Sequence, residues 1–417
     1  MASFVSRIIF LSQLFDPEPT IKGLQFIKEL GQRGIEAEVV TGFPNYPGGK
    51  IYPGHRLRWH LKDAMDGVQV TRLATYPSHD ASALKRICCY LSFYITSLLY
   101  LLFSAKRTDL IYVYYPSLTS GLSAISAKLF RRTPVVLDIQ DMWPDSLGAS
   151  GMVTNRFFLA FVNFFCGVLY RNCNHIIVQS PGFRKLLIAR GVPEEKISVV
   201  FNWADEIVAP LQTNLPAGFL PDDKIRFLFA GNMGAAQGLA ALIDAAAVLQ
   251  KQQMDISFYF IGGGTEKADL ERQAKNLGLN NVRFLPRVSV ESVQAYLAAA
   301  DCLIVHLKDQ PLFRITIPSK TQAYLFAGRP ILMAVPGDAA DLVIQAGAGV
   351  LAAPENPIDL AEKITALTMM TPEARKVMGS RGPAFYQRKL AKRLAIDATA
   401  NLIRSHGVPA DRKDARR

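Results

Sequence analysis

The sequence predicts an α/β protein of two doubly wound, Rossmann-like parallel sheets, and three observations carry that prediction. Short apolar runs of strand length alternate with helical stretches along nearly the whole chain. The alternation breaks once, at Asp205–Lys224, and then restarts. The length of 417 residues suits two or three domains. A composition that is 50% hydrophobic and 20% charged is ordinary for a globular protein and excludes a disordered chain.

In the first half, Ser6–Ser12 reads as a buried strand, Ile21–Arg33 as a helix ended by Gly34, and Glu36–Thr41 as the next strand. Strands recur at Val68–Leu73, Asp109–Tyr115, Pro134–Ile139 and His175–Gln179, with helices between most of them. Asp205–Lys224 holds three prolines, one glycine and four acidic residues and has no clean period, so it reads as an interdomain linker. Beyond it come the strand Ile225–Ala230, the helix Leu239–Gln252 and the strand Ile256–Gly262. Strands at Val282–Leu285, Cys302–His306, Pro330–Ala334 and Gly349–Ala352 follow. The expected organisation is a domain over 1–208, a linker over 209–224 and a second domain over 225–380. Residues 381–417 are expected to form a helix returning to the first domain, then a frayed basic tail from His406.

Two segments are unusually apolar. Ile87–Ala105 carries no charge and is flanked by Lys85-Arg86 and Lys106-Arg107. At 1.5 Å per residue it extends for about 28 Å, nearly a bilayer core. Strands lie on both sides of it, however, and a single crossing would separate strands that must share a sheet, so a buried or membrane-surface helix is expected. Phe157–Tyr170, bracketed by Arg156 and Arg171, places Phe157, Phe158, Phe161, Phe164 and Phe165 on one helical face. It is too short to span, and an aromatic face with basic ends suits an interfacial helix, though a plain core helix has the same pattern.

The net charge of +12 fits nucleic acid, anionic lipid or phosphorylated small molecules without choosing among them. No basic helix-turn-helix, zinc module or aromatic RNA-binding strand pair is visible, which argues against nucleic acid. The five cysteines form no Cys-x-x-Cys pair, and no Cys/His cluster has zinc spacing, so free thiols in a reducing cytosol and no metal are expected. The only apolar run near the N-terminus, Ile8 to Leu11, is too short for a signal peptide, and no export is expected.

Several turns lie where open α/β sheets bind ligands, beyond the carboxyl ends of strands. Gly231-Asn232-Met233-Gly234 follows a strand and precedes a helix near Gly238, an arrangement that lets backbone N–H groups approach a phosphate or simply makes a βα turn. Gly262-Gly263-Gly264-Thr265-Glu266 closes the next strand, with Thr265 or Glu266 able to serve the helix start. It is no dinucleotide fingerprint, because Lys267 stands where the third glycine belongs, and the chain has no P-loop. Pro318-Ser319-Lys320 offers a helix cap and a positive charge of the kind a pyrophosphate needs. Asp138–Asp145 ends a strand with three carboxylates and a Trp; Asp138 reads as structural, Asp141 and Asp145 as candidates for the site. His306 ends another strand and either faces the same region or is a satisfied structural residue.

Taken together, the chain resembles the family-4 glycosyltransferases of the GT-B fold, in their WbuB-like bacterial branch. The resemblance is carried in order by TGFPNYPGGKIYPG from Thr41, DIQDMWPDSL from Asp138, VVFNWAD from Val199 and FAGNMGAAQGL from Phe229. It continues through Ile261–Glu266, NVRFLPR from Asn281, Ala300–His306 and IPSKTQAYLFAGRPIL from Ile317.

The resemblance implies two sheets facing across a cleft, with a nucleotide-sugar donor, a UDP-sugar, held by the second domain and the acceptor against the first. It implies a retaining, metal-independent transfer with no other cofactor, in which the leaving phosphate assists the acceptor hydroxyl. The sugar is expected to be an N-acetylated hexosamine. The acceptor is expected to be a saccharide on a polyprenyl-diphosphate carrier, used in O-antigen, capsule or exopolysaccharide assembly. The protein is accordingly expected to be peripheral on the anionic cytoplasmic face of the membrane. By motif position, Gly231, Asn232, Met233, Gly234, Gln237, Ser319 and Lys320 lie near the diphosphate. Phe284, Leu285 and Pro286 lie near the nucleobase; Gly262, Gly264, Glu266, Arg287, His306 and Arg314 complete the expected donor site. Asp141 stands where many relatives carry a His near the donor sugar, and is the expected catalytic residue.

Two departures stand out. Most members grip the diphosphate with an Arg and a Lys where this chain has Asn232 and Gln237, and carry two glutamates where it has Ile315 and Ala323. Lys320, Arg314 or Arg287 is expected to supply the missing charge. A sugar-nucleotide epimerase of the same fold, or a transferase-like protein without activity, are the alternative readings.

Overall fold

The structure, a computed structural model, describes residues 6–78, 83–115, 117–149, 155–208, 216–219 and 223–407. The chain forms two compact units: Met1–Gln179 with Phe183–Val200 and Ala395–Arg417, and Ser180–Gly182 with Phe201–Leu394.

The first unit runs β1 (Ser6–Leu11), α1 (Leu24–Gln32), β2 (Ile35–Gly42), β3 (His60–Met65), β4 (Val68–Leu73), α2 (Ala83–Leu99), β5 (Leu110–Tyr115) and α3 (Leu118–Arg131). It continues with β6 (Val135–Ile139), α4 (Asp145–Ala149), α5 (Arg156–Asn172), β7 (His175–Val178), α6 (Pro181–Ala189) and β8 (Ile197–Val199). Among the described residues these strands make one sheet in the order β3-β4-β2-β1-β5-β6-β7-β8, parallel except for β3. The second unit runs β9 (Ile225–Ala230), α7 (Ala240–Lys251), β10 (Ile256–Ile261), α8 (Lys267–Asn276), β11 (Val282–Leu285), α9 (Val290–Ala299) and β12 (Cys302–His306). Then follow α10 (Pro311–Arg314), α11 (Ser319–Ala327), β13 (Ile331–Ala334), α12 (Asp338–Ala346), β14 (Gly349–Leu351), α13 (Pro357–Thr368) and α14 (Pro372–Lys389). Its sheet, in the order β11-β10-β9-β12-β13-β14, is wholly parallel. Helix α15 (Lys392–His406) starts in the second unit and ends in the first.

The second sheet shows why continuous apolar runs make parallel strands. Helices cover both faces, so alternate side chains on either side are equally dry. All six residues of β10 are buried, and two apolar layers lie on opposite faces of the sheet. Phe229, Phe260 and Phe284 form a cross-strand row, with ring centroids 6.1 and 5.2 Å apart.

The structure moves the expected boundaries. The chain passes into the second unit at Phe201, ahead of the expected linker at 209–224, and back at Ala395, beyond the expected 381. Residues 209–215, 220–222 and the tail 408–417 lie outside the described residues. Within the linker span, Phe219 is buried, its ring 4.2 Å from that of Tyr259, and Tyr296 donates to the Ala217 carbonyl. An aromatic anchor thus draws this proline-rich segment into the second unit. Likewise α14 stays there, because Phe385 and Tyr386 are buried in its core.

β3 and β8 have no counterpart among the strands expected from the sequence. β3 is an edge strand, largely exposed and carrying Lys62 and Asp63, so it has no apolar run to find. A usable signal did exist in Asp66-Gly67. Both residues have positive φ, 48° and 84°, and join Met65 to Val68 as a two-residue hairpin turn.

Lys85–Ser104 is, among the described residues, long and apolar enough to cross a membrane by length and composition. Yet β4 before it and β5 after it are strands of one sheet, which makes the helix a crossover of that sheet. Its final turn, Tyr100–Ser104, winds as a π-helix. α3 packs against both α2 and α5. Their outer surfaces expose Ile87, Leu91 and Ile95 on α2, Leu129 and Phe130 on α3, and Phe157, Phe161 and Phe164 on α5.

Candidate active site

The glycine turns after β9 and β10 interlock. Gly231 N–H donates to Ile261 O (2.9 Å), Met233 N–H to Gly263 O (2.8 Å) and Glu266 N–H to Met233 O (3.0 Å). Glycine is required here: a Cβ on Gly262 would lie 2.0 Å from Gly231 O, and one on Gly264 2.3 Å from Met233 O. These bonds correct part of the sequence reading. The N–H groups of Gly231 and Met233 are occupied by the neighbouring turn, while those of Asn232 and Gly234 have no backbone partner among the described residues. Met233 sends its side chain into the core. A 3₁₀ turn, Ala235–Gln237, intervenes before α7, so the helix does not start at Gly238.

Lys320 reaches this turn from α11. Its Nζ lies 3.0 Å from Gln237 Oε1 and 4.7 Å from the ring centre of Phe229. The glycine at 231, with φ of +144°, makes room: a Cβ there would come within 2.7 Å of Lys320 Cε. Lys320 keeps some accessible surface, but protein crowds its ammonium closely, and that desolvation pushes it down to about 8. The crowding governs here because no carboxylate pairs with Lys320 among the described residues. Ser319 does not cap the helix, as the sequence reading expected. Pro318 takes the N-cap place, with no side-chain bond, and Ser319 begins the first turn. Nor does α8 receive a side-chain cap from Glu266.

His306 is a correction of a different kind. It is fully buried, with Nδ1 2.6 Å from Gln237 O and Nε2 accepting from Glu355 N–H at 3.1 Å. Both ring nitrogens are spent on backbone, which assigns the neutral Nδ1–H tautomer; burial also lowers its pKa. It positions Gln237 and has no nitrogen left for a ligand. Of the other expected charges, Arg314 is forked onto Asp309 with two 2.9 Å bonds. Arg287 is exposed beside Gly263, and Pro286 is exposed next to half-buried Leu285. Lys267, which replaces the third glycine, turns back to the Gly262 and Leu285 carbonyls at 3.4 and 3.2 Å.

In the first unit, the turn after β6 presents Asp141. It is exposed, its carbonyl accepts from Trp143 N–H at 3.1 Å, and its carboxylate has no hydrogen-bond partner among the described residues, while dense surrounding protein raises its carboxyl pKa. The turn is braced from below. Lys22 and Tyr112 both bind Asp138, all three buried, and Gln140 donates to the other Asp138 oxygen at 2.6 Å. Trp143 meets the Tyr90 ring of α2 at 6.1 Å. Asp145 is held by Arg190 at 2.5 Å, which makes it structural. The Lys22 brace, 116 residues from Asp138 in sequence, had no local signature. At the ends of β1, β2 and β4, the oxygens Gln13 Oε1, Asn45 Oδ1 and Thr75 Oγ1 are buried without a partner among the described residues. No cluster of three His, Cys, Asp or Glu suited to a metal occurs among the described residues.

Two family models match the sequence: a glycosyl transferase 4-like domain over residues 24–203, and glycosyl transferases group 1 over 212–385. The chain is a family-4 glycosyltransferase of the GT-B fold. WcaI of Escherichia coli, named as a glycosyl transferase of colanic acid biosynthesis, is 28% identical over 77% of this chain and 81% of its own length. The fold is shared with HepE of Anabaena, solved with UDP-glucose, at a TM-score of 0.68 and 16% identity over 96% of this chain and all of HepE. Sucrose-phosphate synthase from Thermosynechococcus elongatus superposes with a TM-score of 0.72 at 17% identity, covering 96% of this chain and 98% of that one. Four positions at which the resemblance implies charged residues hold others in this chain. Asn232 and Gln237 stand in place of the expected arginine and lysine, and Ile315, just after α10, and Ala323, within α11, in place of the two expected glutamates.

Proposed function

We propose that this glycosyltransferase moves a sugar from a UDP-sugar to a lipid-linked saccharide in bacterial polysaccharide assembly, with retention of configuration. The observation that carries the donor half is Lys320, turned into the glycine cradle of the second unit with no carboxylate paired to it among the described residues. The diphosphate lies over Gly231–Gly234, against the free N–H groups of Asn232 and Gly234 and the N-terminus of α11. Lys320 and these donors stabilise the departing UDP without a metal. UDP-glucose and UDP in the HepE crystals support a uridine donor. The sugar is an N-acetylated hexosamine in this reading, and Asp141 holds a sugar hydroxyl or favours the oxocarbenium-like transition state. The polyprenyl-diphosphate acceptor lies against the first unit. There the unpartnered oxygens of Gln13, Asn45 and Thr75 accept from sugar hydroxyls, and α2 and α5 meet the cytoplasmic membrane face. WcaI's name supports an exopolysaccharide pathway.

The test is a screen of UDP-sugars with extracted lipid-linked saccharides, read by mass, beside calorimetry of UDP binding in EDTA. A mass gain of one sugar on the lipid-linked acceptor is expected. Interconversion of free UDP-sugars without an acceptor would show an epimerase instead, and no UDP binding would remove the donor assignment.

A further inference from the structure

Position 237 lies in the loop that takes the diphosphate in the proposed reading, and it carries no charge in this chain. The charge arrives from another element at the same spot: Lys320 Nζ is 3.0 Å from Gln237 Oε1, over the Phe229 face and against Gly231. The neutral His306, fixed between Gln237 O and Glu355 N–H, holds the Gln237 backbone in place.

We propose that Lys320 substitutes for the cation missing at position 237, and that it captures a proton from solvent when a nucleotide diphosphate binds. This rests on the donor reading above and adds the charge state of the empty site. A buffer acid or hydronium gives up its proton, an N–H bond forms at the Nζ lone pair, and the resulting ammonium donates to a diphosphate oxygen; no bond of the nucleotide changes.

The surroundings explain why the proton is loosely held before binding. Among the described residues, β9 contributes the Phe229 ring, and α11 itself the Tyr324 hydroxyl, which is engaged with Ala230. From β12 comes His306, which is neutral, and beyond it Lys308, whose stem lies near Gly238. Asp309 is committed to Arg314, and Glu355 accepts from Asp309 N–H. On the second glycine turn, Glu266 has no bond to Lys320, and Lys267 is engaged with carbonyls and Glu271. Desolvation therefore acts unopposed, with Lys320 down to about 8. A bound diphosphate supplies the counter-charge and restores the ammonium.

Calorimetry of the full chain tests this with UDP-glucose and UDP at pH 8.0 and 6.5, in buffers of different ionisation enthalpy. UDP-glucose carries no phosphate group that titrates in this range, and the terminal phosphate of UDP titrates near pH 6, as in phosphomonoesters. Expected is uptake of roughly half a proton at pH 8.0 and almost none at 6.5, with affinity falling up to about tenfold per pH unit above 8. Lys320→Arg should bind without uptake, and Lys320→Gln should bind at least tenfold more weakly with a flat pH profile. Nucleotide binding with no uptake at pH 8.0 overturns the coupling and leaves the donor reading standing. Uptake that persists in Lys320→Arg assigns the proton elsewhere and also overturns it. Failure of UDP itself to bind overturns both. The wild-type buffer dependence decides the matter even where a variant folds poorly.

Discussion

Holding an ammonium where protein displaces water costs stability unless a carboxylate answers it, and Lys320 has none among the described residues. Its folded value, about 8, lies below the ordinary 10.5, so between those values the unfolded chain binds more protons than the native one. Stability therefore rises with pH across that window, and the penalty is fully present below pH 8. Without ligand, Lys320→Met should be more stable than the wild type at pH 7, by on the order of 1–3 kcal/mol after allowing for residual water contact, and should melt later. The gap should close towards pH 10.5, and thermal melts at pH 7, 8.5 and 10 check it. A gap independent of pH would mean that methionine gains by packing alone. Asp141 presents the opposite case, an exposed residue at a strand end. Asp141→Asn should leave stability within about 0.5 kcal/mol yet lower turnover roughly tenfold to hundredfold, the worth of one charged hydrogen bond. Early melting with full activity per folded molecule would make it structural.

Among the helices, α5 puts Phe157, Phe161 and Phe164 into solvent at 80%, 60% and 59% exposure, with Arg156 and Arg171 at its ends. A core helix would bury that face; here the inner face, with Val162, Cys166 and Leu169, is the buried one. If the outer face enters a membrane surface, its apolar insertion resists salt, whereas the basic ends are screened. Replacing all three phenylalanines by Ser should move the protein from the membrane to the soluble fraction in flotation with anionic vesicles. In the wild type, high salt should release only part. Equal flotation of both proteins would sink the interfacial role. The α5 pattern was legible because aromatic spacing and helix period are local. So were most strands, because a parallel strand buried on both faces is a continuous apolar run. What escaped has physical reasons. β3 is exposed and has no apolar run, and β8 is largely apolar but only three residues long. The glycine turns were visible, but not that they bond to each other and spend the N–H groups of Gly231 and Met233. Ser319 looked like a cap, but the extended backbone falls at Pro318. The meetings of Lys320 with Gln237, 83 residues apart, and of Lys22 with Asp138 are products of topology that no window of sequence contains.

For the whole molecule, the decisive feature is that the first unit is completed by the end of the chain. After the second unit closes at Leu394, residues from Ala395 return to the first. There Ile396, Ala400 and Ile403 are buried, Arg33 bonds Asp397 at 2.5 Å, and the His406 ring stacks on His175 at 4.3 Å. Burying aliphatic side chains of this size is worth about 1.5–3 kcal/mol each for the larger ones, against a domain stability of about 5–15 kcal/mol. A chain ending at Leu394 should therefore lose much of the stability of its first unit, though the deletion is remote in sequence from the β-strands it uncovers. The second unit keeps its own sheet and the Lys320–Gln237 contact. The truncated protein should accordingly show faster hydrogen exchange in β1, β5 and β7 while binding UDP with affinity within about threefold of the full chain. Saturating UDP, at a hundredfold its Kd, should add about 2.7 kcal/mol of protection, confined to the second unit in both proteins. Unchanged exchange in the first sheet would show that α15 is dispensable there. Parallel loss of UDP affinity would show that the donor site depends on the first unit as well.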